Sequence, residues 1–490
     1  MGRRDAVRAG RGAARNWTPR QASGICAFGV PRGTRETNIA MGVQTGPNLD
    51  SFNLEERLTA LRALAAAGRD DLPAAGENLN LHFHSFFSYN SEGWSPSHLA
   101  WAARRRGLYA AGLCDFDVLD GLEEFLEAGR ILGLRVTVNL ETRAFVREFA
   151  DREISSPGEA GVTYIMGAGF ARVPSSGPQA RTLGELRAGA QARNAALVAR
   201  INARLRAFAV DYRRDVLPLT PAGGATERHI IRGYLNRARA LHSGDAALAA
   251  SWAEILGRPS EAVLKLLADP PALEEAVRSK LVKKGGLGYE PPSPSGFPPV
   301  EEFTAWVRSC EAVPMIAWLD GTSGGEADAK RLLEVMQAAG CAALNIIPDR
   351  NWNLKDAHEA AKKRAKLAEI VAACDARGLP LNIGTEMNKR GLPLVDDLSG
   401  EALRPHRASF LRGARVLVGH SLLLRYAGFS YAGAGAAAEF PELRRKNAFF
   451  ERVGGLPPLT ETLGRKLEDL GPAKALAAMR EAAQAGKWVG

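Results

Sequence analysis

Cysteine is scarce in this chain. Five occur in 490 residues, Cys26, Cys114, Cys310, Cys341 and Cys374, and no two form a C-x-x-C pair. An odd, scattered set excludes a disulfide framework and a cysteine zinc site, and it fits a reducing compartment, so a cytoplasmic protein is expected. No apolar run reaches about 18 residues, which excludes a transmembrane helix. The first forty residues lack the continuous apolar core of a secretory signal. The Gly/Pro stretch KKGGLGYEPPSPSGFPP (283–299) lacks the Lys-Ser/Thr that a phosphate-binding loop needs after G-x-x-x-x-G. Lysine is also rare, with 14 of the 64 basic residues. We read that as coding bias rather than chemistry.

What is present is a large apolar fraction and an uneven charge. Hydrophobic residues make up 46% of the chain, enough for an extensive core. The formal charge is +10. Residues 1–40 hold eight arginines against Asp5 and Glu36, which leaves +4 for the other 450 residues. The basic character therefore belongs to a leader. We expect it over 1–50, disordered or added by a start codon upstream of Met41. The balanced body argues against a nucleic-acid partner.

Helical spacing over 53–68, 96–107 and 121–133 alternates with strand-like runs at 78–84, 110–117 and 134–141. That rhythm predicts parallel βα units. It breaks at 150–180, where SSPGEAG and PSSGPQ mark turns. An Arg-rich helical stretch (181–215) and several short helices (226–284) follow. From 300 the alternation resumes, with strands predicted at 313–320, 341–349, 379–386 and 415–420. Helices are predicted at 300–311, 326–340, 355–378, 400–412 and across 436–490. The fold class expected is α/β: a distorted seven-stranded (β/α) barrel, all parallel, with a mainly helical insertion. Its first part would span 51–149, the insertion 150–299, the second part 300–425 and a helical tail 426–490.

In such barrels, reacting side chains project from the C-terminal ends of strands. His82 and His84 end the first run, and their i, i+2 spacing puts both imidazoles on one face, able to share a metal ion. Asp115 and Asp117 end the second run. Glu141 ends the third, with Arg143 behind it. Asp320, then Asp349 and Arg350, follow the next two. Glu386 ends the sixth, with Asn388 and Lys389 beyond, and His420 ends the seventh. Each residue also has a plainer reading, as a helix cap or an ion-pair partner.

Taken in order, these residues resemble the PHP (polymerase and histidinol phosphatase) family. LHFHSFFS (81–88) is similar to its opening His-x-His motif, CDFDVLDG (114–121) to its Thr-Asp-His-Asp motif, and NLE (139–141) to its Gly-hydrophobic-Glu motif. AWL (317–319) and GTEMN (384–388) stand where Ala-His-Pro and Gly-Ser-Asp-x-His are usual. The resemblance implies a distorted seven-stranded barrel and up to three metals. Three family histidines are replaced, by Phe116, Trp318 and Asn388, and Tyr89 stands at a position often acidic or His in relatives. The resemblance leaves one ligand set whole, His82, His84, Glu141 and Glu386, for a single divalent ion of zinc, manganese or iron.

One metal supports a hydrolase, a phosphoesterase acting on a small anionic molecule. Asp115 is then the nearest candidate base and His420 a candidate proton donor. Arg143, Arg350, Lys389 and Asn388 are candidates to hold the anion. Two other readings stay open. One is a mononuclear-metal sugar or sugar-acid isomerase or lyase, with Phe116 and Trp318 stacking on the sugar. The other is a non-catalytic binding protein built on a degenerate barrel.

Overall fold

The computed structural model describes residues 48–68, 71–290 and 296–488. Most of the expected leader, Cys26 and part of the Gly/Pro stretch lie outside those residues. Seven strands form one sheet in sequence order. They are β1 (Asn80–Phe83), β2 (Ala110–Phe116), β3 (Arg135–Phe145), β4 (Val162–Ala168), β5 (Val313–Trp318), β6 (Ala343–Ile346) and β7 (Leu381–Ile383). Neighbours within β1–β3 and within β5–β7 pair in parallel. β4 runs antiparallel to both β3 and β5. Just past β7 the chain returns to β1. The His84 amide donates to the Glu386 carbonyl at 2.9 Å, and the Glu386 amide donates to the His82 carbonyl at 2.8 Å. These two bonds bring the sheet round into a nearly closed barrel.

Two expectations about the strands are corrected. The run at 415–420 is not a strand. It lies inside the helix Arg407–Ala427, of which 14 residues are buried. A helix buried on nearly every side loses the polar beat of period 3.6, so a short piece of it looks like a core strand. The seventh strand is instead β4, inside the stretch read as loops. Its core VTYIMGA was hidden by the turn clusters on either side. Among the described residues seven strands are present, but not seven parallel ones.

The helix Arg407–Ala427 lies across the end of the barrel where the parallel strands begin. A methyl group on Gly413 would sit 1.9 Å from the Leu381 carbonyl oxygen at the start of β7. Higher on the same helix, Ser421 Oγ is 3.0 Å from Thr137 Oγ1 near the start of β3. Before the helix Val300–Ser309 that leads into β5, the β4–β5 connection carries five further α-helices among the described residues, Gly177–Arg204, Glu227–Leu241, Asp245–Leu256, Ser260–Leu267 and Pro270–Leu281. They enclose a second core around Ile201, Tyr234, Trp252 and Val277. This segment rests on the opposite end, above β1 and β2. Arg187 there holds Asp120 through both carboxylate oxygens at 2.6 and 2.7 Å. Among the described residues no helix is long and apolar enough to cross a membrane.

Candidate metal centre

Alternation along the strands builds the barrel interior. Leu81 and Phe83 face the helices, while Asn80, His82 and His84 take the other phase; all five are buried. On β3, Thr137, Asn139 and Glu141 share one phase and are buried too. Asn345 of β6 and Asn382 of β7 complete a polar layer beneath the histidines. At the top, one ligand atom each from His82, His84, Glu141 and Glu386 lies within 4.8 Å of the others. Glu141 Oε2 is 3.5 Å from His82 Nε2 and 3.4 Å from His84 Nε2.

Those contacts are too long or poorly aimed for good hydrogen bonds. His82 Nε2, His84 Nε2 and Glu141 Oε2 are all buried without a hydrogen-bond partner. A buried, unsatisfied polar atom costs about 1–3 kcal/mol, so three converging on one point call for a shared partner. Two imidazoles and two carboxylates form a donor set suited to zinc, manganese or iron(II). On these observations the residues fit a divalent cation.

The supports agree with that use. His82 Nδ1 is 3.3 Å from Asn345 Oδ1, an oxygen that also accepts from Asn382 Nδ2 at 2.7 Å. An amide oxygen only accepts, so a proton sits on His82 Nδ1, and Nε2 faces the cluster, where it would carry a second proton or, with a cation bound, give its lone pair. Burial opposes a second proton on His82, but Cys114 and Glu141 beside it prevail and hold its pKa well above the ordinary imidazole range. Burial likewise pushes the Glu141 carboxyl up, and the two histidines overcome it and keep it ionised. The cluster is thus arranged to hold positive charge against a carboxylate. Glu386 sits at φ +63° and Met387 at φ +53°, in the left-handed region. Such backbone is unfavourable by roughly 1–2 kcal/mol per residue, and it is fixed here by the two bonds to β1. It turns the Glu386 side chain into the cluster.

The other candidates are placed differently. Asp115 does not reach into the cluster. Its Oδ1 accepts from the Ser85 amide at 2.8 Å and from Ser88 Oγ at 2.5 Å, and its Oδ2 accepts from Ser85 Oγ at 2.7 Å. Ser88 Oγ is in turn 3.4 Å from His84 Nδ1, so the Asp115 carboxylate steadies a ligand through serine. His420 is corrected outright. It lies mid-helix, next to Ser421, which meets Thr137 four residues before Glu141 on β3. At strand rise that is about 13 Å below the cluster. Its Nδ1 accepts the Tyr431 amide at 3.1 Å.

Arg143 is committed to Glu159 at 2.9 and 2.7 Å and lies 4.3 Å over the Phe297 ring. Arg350 reaches Glu386 at 3.3 Å and keeps 44% of its side chain exposed. Asn388 is half-buried and Lys389 exposed, at the edge of the mouth. Asp117 accepts from Thr142 Oγ1 at 2.5 Å. The two aromatic replacements are also occupied. Phe116 stacks on His84 with 4.2 Å between ring centres. Trp318 is buried against Gly321, where a methyl group would lie 3.0 Å from its Cζ2. Trp318 presents no free face to a sugar, and one face of Phe116 is taken by His84.

Reading the sequence missed three contributors. Asn345 supports His82 from across the barrel, and Ser88, held by Asp115, supports His84 from four residues further on. Tyr164 of β4 pairs with Arg143 across the ladder and so shares the Glu141 face. Its ring centre is 6.3 Å from that of Phe116. The insertion roofs this end of the barrel. His229 meets Tyr89 edge-on at 5.2 Å, and a methyl on Gly224 would lie 2.0 Å from the Phe87 carbonyl oxygen.

No family model matches the chain, and no curated protein does. Two solved structures follow a similar path. One, from Bifidobacterium adolescentis and provisionally assigned as a metal-dependent phosphoesterase, is 20% identical with a TM-score of 0.42, covering 69% of this chain and 97% of that one. The other is an amidohydrolase from Chromobacterium violaceum with bound sulfate and no metal. It is 18% identical with a TM-score of 0.43, covering 68% of this chain and 96% of that one. Neither likeness bears on what this chain does.

Proposed function

We propose that the chain is a metal-dependent hydrolase of the PHP type, a phosphoesterase acting on a small anionic substrate with one divalent ion. One observation carries the reading: four buried ligand atoms converge within 4.8 Å, and three of them have no hydrogen-bond partner. A divalent ion there would act as a Lewis acid and make a water acidic enough to attack at neutral pH. The chain's own groups do the rest. Asn345 and the Asp115–Ser88 pair hold the two imidazoles in place. Arg350, half-exposed beside Glu386, can turn to the substrate anion, with Asn388 and Lys389 behind it. Arg143 stays with Glu159 and shapes the wall.

The test is elemental analysis of the purified chain together with turnover of p-nitrophenyl phosphate. About one zinc, manganese or iron per chain is expected, with metal and turnover both lost in His82→Ala. A metal-free chain whose melting temperature ignores all three ions overturns the metal site. A metallated chain that hydrolyses no phosphate ester overturns the phosphoesterase.

A further inference from the structure

Among the described residues, β4 is the barrel strand that stands outside the parallel series. β4 is antiparallel, so its first residues, not its last, stand at the mouth where the parallel strands end. In the β3–β4 ladder Glu141 opposes Met166 and Arg143 opposes Tyr164. Tyr164 therefore lies on the cluster's face, one step further toward the mouth. The Phe116 ring, stacked on His84 at 4.2 Å between centres, is 6.3 Å from the Tyr164 ring. Its hydroxyl makes no hydrogen bond among the described residues, and the residue is half-buried rather than sealed. Arg143 opposes it across the ladder and shares its face. Burial keeps the phenol protonated, at about 12, even beside Arg143.

We infer that Tyr164 is the acid that protonates the leaving oxygen. The inference rests on the phosphoesterase reading above. The step balances as follows. The water oxygen bonds to phosphorus, and the phosphorus–ester oxygen bond breaks with its electron pair on the ester oxygen. That oxygen takes the Tyr164 proton and departs as the alcohol. The attacking water gives one proton to solvent, and the phenolate, on one face with Arg143, recovers one from solvent. The products are one alcohol and one phosphate. His420, the donor expected from sequence, lies at the other end of the barrel. Tyr164 instead offers a hydroxyl without a hydrogen bond among the described residues, on the cluster's face of the barrel.

An acid matters only where the leaving group is poor. The metal-loaded full chain and its Tyr164→Phe variant are compared on p-nitrophenyl phosphate, phenyl phosphate and glycerol phosphate. Loss of a general acid typically costs about 10²–10⁴-fold. The variant should lose at least about 100-fold in kcat/KM on glycerol phosphate and less than about 3-fold on p-nitrophenyl phosphate, with phenyl phosphate between. Metal content and melting temperature should match the wild type. An equal loss on all three esters, or no loss on any, overturns the role of Tyr164 and leaves the phosphoesterase standing. A wild type that turns over none of them overturns both. Tyr164→His, which keeps a proton donor, should recover part of the glycerol phosphate rate. A Tyr164→His variant no faster than Tyr164→Phe counts against the acid.

Discussion

Asn345 decides which nitrogen of His82 faces the cluster. Its oxygen lies 3.3 Å from Nδ1 and is itself fixed by Asn382. Replacing it with leucine keeps the volume and removes the acceptor. Metal affinity should fall about 10–100-fold, with little change in the fold, as read by competition titration with a chelator. Unchanged affinity would mean that the ring is set by packing alone. His420 makes the opposite case, a histidine whose work is structural. Burial, opposed by the Gly169 backbone, holds its pKa down to about 4, and its Nδ1 accepts the Tyr431 amide. The unfolded imidazole titrates near about 6.5, so between those values the unfolded chain binds a proton that the folded chain refuses. Stability is full above about pH 6.5 and is lost as pH falls through 4, at up to about 1.4 kcal/mol per pH unit. In urea titrations across that window, His420→Leu should flatten the slope by one proton. It should also lower stability at pH 7, since the Tyr431 amide loses its acceptor. A slope that does not change would place the titration elsewhere. The four ligands were legible because each sits in the inward phase at the end of an apolar run. Their supports were not, because Asn345 and Ser88 act on residues 263 and 4 positions away, across space rather than along a period.

At the scale of elements, the sequence was misread where burial erased the rhythm. The helix Arg407–Ala427 is packed on nearly all sides, so RVLVGH looked like the last strand. β4 was lost for a different reason: a seven-residue strand between Ser/Gly/Pro turns offers too few residues to set a period. The glycines of that buried helix were the clue left unused. Gly419 meets the helix Leu443–Gly455 so closely that a methyl would lie 2.0 Å from the Phe450 carbonyl oxygen and 2.9 Å from the Gly454 nitrogen. In an exposed helix, glycine to alanine stabilises by roughly 0.5–1 kcal/mol. Here the added carbon meets backbone, which cannot swing away. Gly419→Ala should therefore destabilise by about 1–3 kcal/mol or more, seen as a lower urea midpoint at unchanged m-value. A gain in stability would show that the two helices are not in contact at this point.

The whole molecule carries two cores with different duties. The barrel holds every candidate ligand, while the insertion between β4 and β5 packs its own residues around Trp252 and Tyr234 and touches the barrel above β1 and β2. A cation bound by His82, His84, Glu141 and Glu386 ties β1 to β3 and to the segment after β7, and no ligand comes from the insertion. Binding at 100 times the dissociation constant adds about 2.7 kcal/mol to whatever opening breaks the site. That corresponds to about 100-fold slower hydrogen exchange for amides exposed only by that opening. The amides of His84 and Glu386, which close the barrel, should slow by that factor when the metal is added. Amides within Glu227–Leu241 and Asp245–Leu256 should keep their rates, because their core can open while the site stays intact. Equal slowing in both regions would mean that the cores unfold as one. The insertion would then hold the mouth together rather than cover it, and the metal would stabilise the chain from end to end.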